Sequence, residues 1–221
     1  MELLFDSPWL KLVHMGVFEL EPLGRDPTAR FPEMIADWEL RLHLPPGALD
    51  ARRTAMNQFF DASGKDGELG TLSQAEWQAG LRQFIGLTPG QLEAFVEDFW
   101  KTYLGDTNPE LVAFFRVLRP RYRTALLSNS FDGAREREQD RYHFAELVDL
   151  IIYSHEVGLA KPDPRIYALT SQRLGVQPHE VVFLDDVERN VAAAAAYGFH
   201  AILYQTNAQA IAEIEGCLQA L

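Results

Sequence analysis

The second half of the chain alternates two kinds of segment, and that alternation restricts the fold more than any other feature. Short apolar runs rich in β-formers occur at RTALLS (Arg123 to Ser128), DLIIYS (Asp149 to Ser154), VVFLDD (Val181 to Asp186) and HAILYQ (His200 to Gln205), with amphipathic stretches between them. Strands joined through helices read as βα units, which assemble a parallel sheet. Two of the connecting helices carry their own stop signals. Pro164 to Leu174 is followed by Gly175 and Val187 to Tyr197 by Gly198, each placed where a glycine closes a helix in the left-handed conformation. Asp, Ser or Asn near the two helix starts suits capping of the free N–H groups.

From about Glu33 to Trp100 the period changes. Met34 to Leu42, Leu49 to Phe60, Ser73 to Phe84 and Thr88 to Tyr103 repeat at helical intervals with no convincing strand, and LPPG (44–47), DASGKDGELG (61–70) and LTPG (87–90) punctuate them. The expected architecture is therefore α/β: a sheet core from residues 1–24 and 107–221, with a four-helix insert over residues 25–106. The five alanines at 192–196 read as a close-packing helix surface.

Composition removes several function classes. At 221 residues with 47% hydrophobic content, the chain can bury a full core, as one domain or as a core with an insert. A formal net charge of −12 repels polyanions, so nucleic acid is not an expected partner. Arg119, Arg121 and Arg123 read as the solvated start of a strand. One cysteine, Cys217, excludes an internal disulfide and a multi-cysteine metal site and suits a reducing cytoplasm. No apolar run approaches eighteen residues and the first residues lack a basic-then-apolar leader, so no membrane association is expected. No two of the six histidines are spaced as a metal pair on one helix face. The loop DASGKDGELGTL puts Lys65 and Leu72 at the fifth and twelfth ligand positions, which rules out an EF-hand.

In open α/β sheets ligands bind beyond the carboxyl ends of the strands. The expected strand ends carry Glu19 and Glu21, then Ser128 and Asn129, then Asp185 and Asp186, and GLAKPDP sets Lys161 in a loop. Acids from separate strands with a hydroxyl and a lysine suit a divalent cation beside a phosphoryl group: carboxylate oxygens take Mg²⁺, while Ser, Lys and backbone N–H groups hold phosphate oxygens. Each piece alone has a plainer reading, SN and DD as helix caps and KPDP as a turn. Together, and at strand ends, they are hard to read as caps.

At these residues the chain resembles the haloacid dehalogenase (HAD) superfamily. The resemblance is carried by LLSN ending at Asn129, by GLAKPDPRIY (Gly158 to Tyr167) and by VVFLDDVERNVAAAAAYGF (Val181 to Phe199), and it extends over nearly the whole chain. GELGTLSQAEW (67–77) and the LPPG turn look like the helical cap of the branch containing sugar-phosphate phosphatases and the phosphatase domain of soluble epoxide hydrolase. The resemblance implies a Rossmann-like core with a cap after the first strand, and Mg²⁺-dependent phosphoryl transfer through an aspartyl-phosphate. It implies a small phosphorylated metabolite as substrate, chosen by the cap. Residue by residue, Ser128 would bind the phosphoryl group with the Asn129 N–H beside it, and Lys161 would hold nucleophile and phosphate together. Asp186 would ligate Mg²⁺ directly, Asp185 would act through water or as a group behind the ligands, and Asn190 would be a nearby polar support. Dehalogenases of the superfamily usually have a serine-rich sequence where this chain has LDD, which favours a phosphatase.

The first motif departs from the family. Aligned backwards from the cap, VFELEPLG places Glu19 where the family has its nucleophilic Asp and Glu21 at the second acid, both serving as metal ligands there. A competing alignment puts the nucleophile at Asp6 in LLFDSPWL, with Pro8 in place of the second acid. A carboxylate displaced by one methylene, ~1 Å, can cost on the order of a hundredfold in rate, although metal binding through water tolerates it better. Three readings stay open: a working Mg²⁺ phosphohydrolase, a pseudo-phosphatase retained as a binding or regulatory protein, and different chemistry on the same scaffold with the Glu pair as general acid and base. The aromatics Phe59, Phe60, Trp77, Phe84, Phe95, Phe99 and Trp100 are expected to form the cap core and part of the pocket roof. The tail helix from Asn207 to Leu221 could pack on the sheet or on a second copy, which leaves a homodimer open.

Overall fold

The computed structural model describes residues 11–14 and 27–220. Five strands, β1 (Lys11–His14), β2 (Arg123–Ser128), β3 (Leu150–Tyr153), β4 (Val181–Asp185) and β5 (His200–Leu203), form one sheet in the order β3-β2-β1-β4-β5. Every pairing is parallel, and β1 lies at the centre, His14 standing opposite Leu126 on one side and Leu184 on the other. The strand order reverses at β1, so the carboxyl ends of β2 and β4 flank the crevice where such sheets bind ligands.

Among the described residues five α-helices separate β1 from β2: α1 (Pro27–Arg41), α2 (Ala48–Ala62), α3 (Gln74–Gly80), α4 (Pro89–Leu104) and α5 (Pro109–Leu118). After β2 come α6 (Ala134–Tyr142) and α7 (Phe144–Leu147), and after β3 come α8 (Ser154–Val157) and α9 (Pro164–Leu174). Helix α10 (Glu188–Tyr197) links β4 to β5, and α11 (Asn207–Ala220) follows. Among the described residues no helix is long and apolar enough to cross a membrane.

Period-two alternation in the strands feeds two cores. Leu126, Val182 and Leu184 face Leu111 and Phe115 of α5, Phe144 of α7, and Ala210 and Ile214 of α11. Ala125, Leu127, Val181 and Phe183 face Ile166 and Tyr167 of α9 and Ala194 of α10 on the other side. Helices thus cover both faces, as a parallel sheet with apolar residues on each side requires. Complete burial of a side chain such as Phe115 is worth roughly 1.5–3 kcal/mol.

Helices α1 to α4 build a third core of their own around Trp38, Leu49, Met56, Leu81 and Phe95. The chain is an α/β protein with a Rossmann-like parallel sheet and an inserted helical cap. Capping boxes start two of the cap helices, Ser73 with Glu76 for α3 and Thr88 with Gln91 for α4. The helix expected over Ser73 to Phe84 divides, because α3 ends at Gly80 and a π-helical turn, Leu81–Ile85, follows. Gly80 packs so tightly on α2 that a Cβ there would come 2.7 Å from the Phe60 ring. The alanine run also differs from expectation: Ala194 is buried and Ala193 half-buried, while Ala192, Ala195 and Ala196 face solvent.

Candidate active site

The carboxyl edge of the sheet brings four of the sequence candidates into one bonded unit. Lys161 lies between α8 and α9 and reaches back under the rim, where its Nζ meets Asp185 Oδ2 at 2.8 Å, with the two side chains 6% and 1% exposed. The other oxygen of Asp185 accepts from the Val187 N–H at 2.8 Å and from Asn190 Nδ2 at 3.1 Å. Both carboxylate oxygens are therefore already engaged. Burial pulls the Lys161 ammonium below the ordinary lysine value, and the charges of Asp185, Asp186 and Glu68 oppose that pull.

Asn129, directly after β2, does more than lend a backbone N–H. Its Oδ1 accepts from the Lys161 N–H at 2.8 Å, and its Nδ2 donates to the Lys161 carbonyl at 2.9 Å and to Glu68 Oε2 at 3.1 Å. One side-chain amide thus ties the end of β2 to the lysine loop and to the cap. Ser128 is the last residue of β2 and half-buried at the same edge. One residue further on, Ser130 donates its N–H to Ser154 Oγ, which returns a bond to the Ser130 carbonyl, so the loops after β2 and β3 are locked together.

Asp186 stands beside this unit on the exposed side of the rim. Partial desolvation of its carboxyl, and then the Asp185 charge, raise its pKa. A cation would relieve that pressure. Asn190 Oδ1, buried, has no hydrogen-bond partner among the described residues. No group of three or more His, Cys, Asp or Glu side chains gathers among those residues, and Asp185 and Asp186 are the adjacent acids at this edge. This fits Mg²⁺, which keeps several waters and is commonly held by one or two carboxylates plus substrate phosphate. Both Asp185 oxygens are already bonded, which leaves the exposed Asp186 carboxylate as the freer of the two acids. Glu19, Glu21 and Asp6 lie outside the described residues, and β1 ends at His14.

The cap closes over this edge through contacts that the sequence did not single out. Glu68 reaches Asn129, the Gln74 N–H donates to Asp132 Oδ2 at 2.8 Å, and Gly70, at φ +71°, lies so close to the core that a Cβ would fall 2.0 Å from the His155 carbonyl oxygen. Behind them, Glu138 of α6 is buried, and it accepts from Tyr153 Oη at 2.5 Å and from Tyr103 Oη of α4 at 3.0 Å. Burial raises the pKa of Glu138, and the two tyrosine hydroxyls oppose the rise. Only the loop 61–70, noted for its glycines and acids, gave a signal. Glu138 sits in a helix with no apolar period.

Comparison with known proteins agrees with this geometry. A family model described as a haloacid dehalogenase-like hydrolase matches residues 24–198, beginning after Glu21. Bifunctional epoxide hydrolase 2 of Sus scrofa is 28% identical over 223 residues, which cover 90% of the chain and 38% of the relative. Glyceraldehyde 3-phosphate phosphatase of Methanothermobacter thermautotrophicus is 25% identical over 177 residues, 69% of the chain and 76% of the relative. The chain spans well under half the length of the first of these relatives. Among solved structures, a HAD family enzyme from Bacteroides thetaiotaomicron superposes with a TM-score of 0.68 at 20% identity, covering 91% of this chain and 96% of the other; that enzyme has also been determined with magnesium and inorganic phosphate. A 2-haloacid dehalogenase from Pseudomonas syringae shares the fold at a TM-score of 0.66 and 16% identity, covering 96% and 99%.

Proposed function

The chain belongs to the haloacid dehalogenase-like hydrolases, and from that premise we propose that it is a Mg²⁺-dependent phosphohydrolase acting on a small phosphorylated metabolite in a reducing cytoplasm. The observation that carries the reading is the buried Lys161–Asp185 pair, fixed to the end of β2 by the Asn129 amide. A buried ammonium beside a rim hydroxyl is placed to neutralise charge on a transferring phosphoryl group, and such fixed donors act strongly where water is excluded. Lys161 binds the phosphate, Ser128 donates to one of its oxygens, and Asn129 and Asn190 hold Lys161 and Asp185 in place. Mg²⁺, taken by Asp186 with Asp185 behind it, would supply charge neutralisation at the phosphoryl oxygens. Two adjacent acids suit a hard cation, which favours phosphate-ester cleavage over dehalogenation. Glu19 is the proposed nucleophile, with Glu21 as the second acid.

The test is hydrolysis of an aryl phosphate with and without Mg²⁺, by wild type and Asp186→Asn. Turnover that requires the cation and disappears in the variant supports the reading; inertness across a broad phosphate-ester panel refutes it. Glutamate where the family uses aspartate favours a second reading, a pseudo-phosphatase that binds without turning over. Glu19→Asp separates the two, since a large gain of activity identifies a site disabled at one position.

A further inference from the structure

An aromatic wall climbs from the candidate site into the cap without a break. Phe131, two residues beyond Asn129, has its ring 5.7 Å from Phe99 and 5.2 Å from Trp100 of α4; Phe99 in turn lies 4.8 Å from Trp77 and 5.4 Å from Phe31. This wall lines a cavity of about 760 Å³ that runs from Asn129 and Phe131 at the sheet edge into the cap core. A volume of that size falls in the range that encloses most of a drug-sized molecule, far more room than a phosphate group needs.

The walls decide what can fill the space. Much of the lining open to a ligand is carbon: Phe31, Leu72, Phe99 and Phe131 are half-buried and offer no partner for a hydroxyl. A polyhydroxylated substrate would leave its hydroxyls unpaired there, at a cost of the order of 1–3 kcal/mol each. Several polar groups of the lining are already engaged: Arg53 pairs with Asp50, Lys65 with Glu76, Asp132 accepts from the Gln74 N–H, and Glu68 accepts from Asn129. Among the described residues the lining carries four carboxylates, Asp61, Asp66, Glu68 and Asp132, against two cations, Arg53 and Lys65, a balance that disfavours a second anionic group on the substrate.

We infer that the cavity takes the organic half of the substrate, so that the substrate class is a phosphate monoester of an uncharged, apolar alcohol or phenol. The inference rests on the phosphohydrolase reading for the phosphate end. Asn129 joins the two halves, since its amide holds the Lys161 loop and its side of the rim opens into the cavity. An ester with its phosphoryl group at Ser128 and Lys161 then directs its carbon chain along Phe131 and Phe99.

The experiment is calorimetric binding of ethyl-, butyl-, hexyl- and octylphosphonate, with and without Mg²⁺, and of octanol, to the full chain and to Leu72→Trp. Phosphonates are not hydrolysed, so the result does not depend on turnover. Leu72 is a half-buried wall residue, and tryptophan there fills part of the cavity. The expected result is affinity that rises roughly threefold to fourfold per methylene, depends on Mg²⁺, and levels off at a shorter chain in Leu72→Trp. Mg²⁺-dependent binding with no effect of length overturns the inference and leaves the phosphohydrolase reading standing. Octanol binding as well as octylphosphonate, without Mg²⁺ dependence, defeats the phosphate reading instead. A length series unchanged in Leu72→Trp puts the chain outside the cavity and also overturns the inference. The wild-type series decides on its own if the variant does not fold.

Discussion

Lys161→Met tests the candidate site through stability alone. It deletes one charge of an ion pair whose members are 6% and 1% exposed, and leaves Asp185 buried beside an apolar thioether. Removing one partner of a buried pair costs about 3–5 kcal/mol, because the remaining charge has no compensation. In a chain of this length each kcal/mol moves the melting temperature by about 2–4 °C, so the variant should melt roughly 6–20 °C lower in EDTA. Asp185→Asn alone should cost less, because the Lys161 ammonium, already pulled down by burial, can lose its proton. In the double variant the asparagine Oδ1 still accepts from the Val187 N–H and the apolar side chain at 161 faces no charge, so stability should return to within about 2 kcal/mol of wild type. Urea unfolding of the four proteins gives the coupling energy directly. Losses that add within about 0.5 kcal/mol would refute the reasoning, since that is how independent sites behave.

Two further outcomes follow from the cap contacts. Gly70→Ala places a methyl 2.0 Å from the His155 carbonyl oxygen, against an ordinary C···O separation of about 3.3 Å; the loop must retreat by roughly 1 Å, and proteolysis of loop 61–72 should accelerate while global stability falls by only about 1–2 kcal/mol for the left-handed backbone. Glu138→Gln should reverse a pH effect: because burial raises the folded pKa of Glu138, the folded protein binds the extra proton between about pH 4.3 and that higher value, and wild-type stability falls as pH rises through this window. Unfolding free energies from pH 4 to 8 should show the glutamine variant gaining on wild type with rising pH, and parallel curves would contradict it.

The last four strands were legible because each is a short apolar run, and two of the connecting helices end at a glycine. Arg123–Ser128 and Pro164–Leu174 appear with the bounds their sequences suggest. The helix α6 was hidden: AREREQDRY buries only Ala134 and Glu138, so no apolar period exists to read. In the site, Lys161, Asp185 and Asn190 were visible as types at strand ends, and they do meet. The side-chain role of Asn129 and the contact from Glu68 were not visible, since both depend on where a cap loop lands, 61 residues away in sequence. The split of Ser73 to Phe84 into α3 and a π-helical turn was equally silent in the sequence.

The Asn129 amide divides its work by atom. Its oxygen and one bond from its nitrogen serve the Lys161 backbone, while a separate bond from that nitrogen goes to Glu68. A movement of the cap that broke the Glu68 contact would leave both bonds to the Lys161 backbone in place. On the phosphohydrolase reading, the grip proposed for Lys161 would then outlast each departure of product.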